Sequence, residues 1–175
     1  MSRVHRRVVV QVALAATLAA CTLQPAKHPT ATRPDTAAGE PARGAGVQAP
    51  LAKRMVDRAI LQLGQPYRFG GAQPGGFDCS GLVFYAARGV GLAVPRTAAE
   101  QLAAGRPVER SALLAGDLVF MRLAHKELHV GIVIDPRHFV HAPSSGGRVR
   151  IDSLRAPPYS AGFLSARRLT LESPH

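Results

Sequence analysis

Apolar and polar positions follow two different periods along this chain, and the change comes at Gly116. Upstream of it, Leu51, Met55, Ala59, Ile60 and Leu63 recur at helical spacing and predict an amphipathic helix over residues 51–63. Gly64 suits the position just past its end, and Pro66 stops it. A glycine-rich turn (Gly70, Gly71, Gly75, Gly76) leads into a second helical run, with Leu82, Val83 and Ala86 on its inner side and Gly89 at its end. Thr97 and Glu100 have the spacing of a capping box and predict a short third helix closed at Gly105. Residues 113–117 read as a turn. Beyond it the period is two, predicting strands over residues 117–121, 129–134, 138–142, 148–152 and 163–168, with turn signals at Asp135-Pro136 and residues 144–147. Helices first and an antiparallel sheet afterwards is an α+β arrangement. The chain has no internal repeat.

The N-terminal third has neither period. Residues 1–7 are short and positive, and residues 8–20 are apolar but too few to span a bilayer as a helix, which is the layout of a signal peptide. It ends in Leu18-Ala19-Ala20-Cys21, which resembles the bacterial lipobox, with Cys21 the lipidated first residue of the mature chain. Ordinary Ala-x-Ala cleavage is the alternative. Thr22, where retained inner-membrane lipoproteins often carry Asp, points to the outer membrane. Residues 22–50 are rich in Pro, Ala, Thr and Gly and bury too little to offset their ordering entropy. The expected organisation is therefore a signal peptide over 1–20, a disordered tether over 21–50 and one domain over 51–170.

The net charge of +11 includes Arg3, Arg6 and Arg7 of the leader. The remaining basic residues are scattered, without a Lys/Arg block or interleaved aromatics, so no nucleic-acid partner is expected. There are two cysteines, Cys21 and Cys79. A lipidated Cys21 is a thioether and cannot pair. Cys79 is then a lone thiol in an oxidising compartment and calls for an explanation.

Cys79 sits where a loop becomes a helix. The first N–H groups of a helix lack intrahelical partners, and with the helix dipole they favour a thiolate. Asp78 is placed to be the N-cap. A cysteine nucleophile also needs a base and a group to orient it. Of seven histidines, His5 leaves with the leader, His28 lies in the tether and His175 is terminal. His125, His129, His138 and His141 remain. A three-residue loop, 135–137, would set Gly131 opposite His141 and put His129 and His141 on one face, diagonal to each other. A two-residue loop would put them on opposite faces. The three-residue register makes His129 the base and His141 its orienter. No HExxH or Cys/His ligand cluster suggests a metal, and no cofactor is expected.

The blocks Tyr67-Arg68-Phe69-Gly70-Gly71, Gly76-Phe77-Asp78-Cys79-Ser80-Gly81-Leu82-Val83, Pro95-Arg96-Thr97, Gly116-Asp117-Leu118-Val119-Phe120, His129-Val130-Gly131-Ile132 and Phe139-Val140-His141-Ala142 occur in this order. Together they resemble the NlpC family of bacterial cell-wall cysteine peptidases, over about residues 51–169. The resemblance implies a compact papain-like α+β fold with Cys79 as nucleophile, His129 as base and His141 as third member. It implies that Tyr67 helps hold substrate or oxyanion, and that Asp78 and Ser80 bind the amino end of the substrate in some members. The implied activity is cleavage of γ-D-glutamyl–meso-diaminopimelate bonds in peptidoglycan stem peptides, by a monomer anchored through lipid on the periplasmic face of the cell envelope. Two departures stand out: Phe69 occupies a position often held by Trp, and residues 121–128 lack the family's usual glycines. The alternatives are a non-catalytic peptidoglycan-binding lipoprotein, or an amidase or acyl transferase on the same fold.

Overall fold

The structure, a computed structural model, describes residues 42–123, 128–145 and 147–170. Its elements in order are helix α1 (Ala42–Ile60), a two-stranded ribbon of β1 (Ala72–Gln73) and β2 (Gly76–Phe77), helix α2 (Cys79–Arg88), helix α3 (Ala98–Ala103), strand β3 (Arg106–Val108), a 3-10 turn (Arg110–Ala112), β4 (Leu118–Arg122), β5 (Leu128–Asp135), β6 (His138–His141), β7 (Arg150–Ser153), a one-turn helix α4 (Tyr159–Gly162) and β8 (Phe163–Arg168). The six longer strands form one antiparallel sheet in the order β3-β8-β4-β5-β6-β7. This is the expected α+β architecture.

Period-two alternation splits the sheet's side chains between two cores. Leu118, Phe120, Val130, Ile132 and Val140 pack against Met55, Val56 and Ala59 of α1 and Leu82, Val83 and Ala86 of α2. Val119, Met121, Val133, Phe139 and Ala166 face the other way, where Leu113, Leu154 and Tyr159 cover them. Burying a side chain of this kind contributes about 1.5–3 kcal/mol, so the first core pins α2 to the sheet and holds its N-terminus at the end of β5. Gly81 makes that seating possible. A Cβ there would collide with the Gly71 carbonyl, so only glycine lets the ribbon loop cross the first turn of α2.

Strand ends shift by one or two residues from those expected, and three larger departures bear on the fold. First, α1 begins at Ala42, so residues 42–50 are helical where disorder was expected. Pro50 suggested a boundary because proline usually ends a helix. Its missing N–H costs one bond, but the helix is anchored downstream, where Met55, Val56 and Ala59 are buried in the core. Second, α1 stops at Ile60, and residues 61–64 form a turn that ends on Gly64 at φ 82°. Third, the β5–β6 loop has two residues, Pro136 and Arg137, because Asp135 pairs with His138. Val133 nonetheless pairs with Phe139 and Ile132 with Val140, so Ile134 is bulged. The bulge supplies the extra residue that a longer loop would have supplied, and the expected register survives. The signal peptide, Cys21, the tether up to residue 41 and His125 lie outside the described residues.

Candidate active site

Cys79 is the first residue of α2, and Asp78 is its N-cap. The Asp78 carboxylate ties the neighbourhood together. Its Oδ1 accepts from the Gly81 N–H at 2.6 Å, the Ser80 hydroxyl at 3.2 Å and Arg96 Nη1 at 3.0 Å. Its Oδ2 accepts from the Gly70 N–H at 2.9 Å and Arg96 Nη2 at 2.7 Å. Arg96 also donates to Ser80 Oγ at 3.1 Å and to the Gly71 carbonyl at 3.2 Å. Burial alone would raise the Asp78 pKa, but Arg96 and the Gly81 N–H outweigh it and hold the carboxyl below its usual range.

Across the cleft, the bulged hairpin brings the two histidines together. His129 Nε2 lies 2.7 Å from His141 Nδ1, with the rings edge to face. His129 therefore has only Nδ1 left for the thiol. His141 is fully buried, and its Nε2 lies 2.9 Å from Asp152 Oδ2 on β7. The same oxygen accepts from Arg150 Nε at 2.8 Å and from the Tyr159 hydroxyl at 2.6 Å, and Arg150 Nη2 donates to Tyr159 Oη at 3.0 Å. Phe139 stacks on His141 with ring centroids 4.5 Å apart. Gly131 admits that ring, since a Cβ there would lie 2.5 Å from Phe139 Cδ2.

A cleft of about 980 Å³ joins the two halves. Cys79 and His129 share its wall with Tyr67, Asp78, Ser80, Arg96, Arg150 and Tyr159. The expected site residues Tyr67, Asp78, Cys79, Ser80 and His129 thus meet in one place, and His141 backs His129 from within the core. His138 is elsewhere, on Asp135 at the exposed hairpin turn, 2.9 Å away. The sequence reading missed Asp152, Arg150 and Tyr159, and gave Arg96 no role. The available signal was Arg150-x-Asp152 on the strand after His141, which period-two pairing across the 144–147 turn places diagonal to it. Among the described residues, no group of three His, Cys, Asp or Glu side chains is arranged to hold a metal.

The charge state of the resting site differs from expectation. Burial, and then the Asp78 charge, push the Cys79 thiol up, against N–H groups of Val130 and of the helix start. Burial, helped by His141 and Arg150, holds His129 down to about 3. Burial also lowers His141, to about 4, although Asp152 opposes it. Both shifts favour the neutral pair, a thiol beside an imidazole, where the helix start alone had suggested a thiolate. A helix N-terminus contributes roughly 0.3–1 kcal/mol to a nearby anion, and desolvating one costs more.

A helix-borne cysteine facing a histidine pair on an antiparallel sheet defines a papain-like thiol site. The NlpC/P60 family model matches residues 64–168, and the chain belongs to that family. It is 40% identical over 123 residues to "Murein DD-endopeptidase MepH" of Escherichia coli, covering 67% of this chain and 45% of that protein. It is likewise 40% identical over 121 residues to "Murein DD-endopeptidase MepS/Murein LD-carboxypeptidase" of Escherichia coli, covering 69% of this chain and 64% of that one. The chain spans about half to two thirds of the length of these curated relatives. Among solved structures it resembles the peptidoglycan hydrolase RipB of Mycobacterium tuberculosis, with TM-score 0.63 and 30% identity, covering 73% of this chain and 68% of that one. It also resembles an NlpC/P60 family protein of Bacillus cereus, with TM-score 0.64 and 30% identity, covering 68% and 40%.

Proposed function

We propose that this domain is a cysteine endopeptidase that hydrolyses peptidoglycan stem peptides. The observation that carries the reading is the single cleft in which Cys79 at a helix start meets His129 backed by His141. His129 Nδ1 takes the thiol proton while sulfur adds to the scissile carbonyl. The Cys79 backbone N–H, with Tyr67 on the same wall, faces the developing oxyanion. Collapse of the adduct breaks the C–N bond, the proton on His129 leaves with the amine, and an acyl-thioester remains on Cys79. Water, deprotonated by the same imidazole, then releases the acid and restores the thiol.

Two bonds are in question. The family resemblance implies the γ-D-glutamyl–meso-diaminopimelate bond. The names of the two Escherichia coli relatives favour a bond between two D-centres, the cross-link between stem peptides. The state of Asp78 supports the second reading. Its five hydrogen bonds to Gly70, Ser80, Gly81 and Arg96 commit it to the scaffold, which weighs against its serving as receptor for a substrate amine. We take the cross-link as the preferred bond. Lipidation at Cys21, in this reading, anchors the enzyme to the outer membrane facing the wall. Digesting defined muropeptides and weighing the products tests the bond. Monomers from a cross-linked dimer support the proposed bond, dipeptides released from monomers support the γ-D-glutamyl bond, and a free lactyl product marks an amidase. No cleavage at all would leave a non-catalytic wall binder.

A further inference from the structure

We propose that Asp152 is a positioning residue that acts through His141, fixing the proton of both histidines on Nε2 so that Nδ1 of His129 is bare toward Cys79. The argument is a chain of donors and acceptors in which each link leaves one choice. Asp152 Oδ2 only accepts, because the Tyr159 hydroxyl and the Arg150 ion pair outweigh burial and keep the carboxyl ionised. His141 Nε2, 2.9 Å from that oxygen, must therefore be the donor. A neutral imidazole carries one N–H, so His141 Nδ1 holds a lone pair. That lone pair lies 2.7 Å from His129 Nε2, which must carry the proton of its own ring. His129 Nδ1 is then the acceptor, and it is the nitrogen left for the thiol.

The histidine pair alone would not specify this. With both protons moved, His141 Nδ1 donates to His129 Nε2, the 2.7 Å bond is kept, and the base presents N–H to the thiol where it needs a lone pair. Within the histidine pair the two arrangements are equivalent, and they are told apart at the far end, where Asp152 accepts a hydrogen bond but has none to donate. Arg150 and Tyr159 hold that carboxylate in place through the same oxygen. The network sits beyond the three residues of the Cys-His-His set, and it gives the half-exposed β7 strand a part in the chemistry.

The test reads the tautomers directly and needs no substrate, so it is separable from the proposed hydrolysis. The full chain, labelled with 15N in its histidine rings, is examined at pH 7 by two-bond proton–nitrogen correlation. The expected result is an Nε2–H signature for both His129 and His141. In Asp152→Asn the His129 signature should shift toward Nδ1–H, kcat on murein should fall on the order of 100-fold with KM within about twofold, and Asp152→Glu should restore part of it. His129 protonated on Nδ1 in the wild type would overturn the proposal, and so would wild-type kcat in Asp152→Asn. If Asp152→Asn does not fold, the wild-type spectrum alone decides.

Discussion

His129 and His141 meet at 2.7 Å because one residue, Ile134, is bulged out of the hairpin that joins their strands. With a two-residue loop and no bulge, His141 would pair across from Ile132 and point into the helix-side core. Deleting Ile134 should leave the pairing intact, because Asp135 then follows Val133 directly and the pairs Asp135–His138, Val133–Phe139 and Ile132–Val140 continue as a regular ladder. Phe139 and His141 keep their face and the two histidines stay together. We expect a cooperative thermal transition and retained cleavage in the deletion protein. Loss of both would show that the register needs the bulged residue itself.

The proposed catalytic residues should rank in severity. Cys79→Ala should abolish cleavage while the melting curve is kept, since one small residue replaces another at the helix start. His129→Ala should cost about as much, because the thiol loses its proton acceptor and the leaving amine its acid. His141→Ala should be milder, on the order of 10–100-fold in kcat, because it removes orientation and not the reacting group. Steady-state kinetics on a cross-linked muropeptide checks the order. Wild-type turnover by Cys79→Ala would end the catalytic reading, and a His141→Ala enzyme as dead as His129→Ala would make His141 more than an orienter.

Strands β4 to β8, the capping box at Thr97 and Glu100, and the cysteine at a helix start were legible in the sequence, because each is encoded within a few residues; β1, β2 and β3 were not. The histidine pairing was legible for a less secure reason. The right register came from a loop of the wrong length, and Ile134 carries no local mark of a bulge. Pro50 misled in the opposite direction, since the packing that carries α1 through it lies downstream, at Met55 and Ala59. Asp152 went unseen because its role depends on three partners, His141, Arg150 and Tyr159, that converge on one oxygen only after the sheet forms. The charge state of the dyad was also out of reach, as it follows from burial and not from residue type.

That burial makes the protein sensitive to acid. The folded-state pKa values of His129 and His141 are depressed to about 3 and about 4, from 6.5. Between those values and 6.5 the unfolded chain binds protons that the folded one refuses, so stability is full above about pH 6.5 and falls as the pH falls. The loss is about 1.4 kcal/mol per pH unit for each histidine. Urea midpoints measured from pH 7 to pH 4 should decline steadily, and the decline should shrink in a His141→Phe variant that has one such group fewer. A flat profile over that range would mean that the two rings take up protons in the folded state.

Asp78 offers a way to separate scaffold from reactivity. Its side chain caps α2, so Asp78→Ala should lose about 1 kcal/mol from the cap. More should follow from the stranded, partly buried Arg96, for a total of about 2–4 kcal/mol. Asp78→Asn keeps an oxygen for the cap but removes the charge. That charge is one of the causes, after burial, that hold the Cys79 thiol up. The Asn variant should therefore alkylate faster with iodoacetamide at pH 7 than the wild type, even though it is less stable. The Asn variant thus predicts opposite signs for two measurements at one residue, stability down and thiol reactivity up. Slower alkylation of a folded Asp78→Asn protein would show that Asp78 supports the thiolate, through the helix start it organises, more than its charge opposes it.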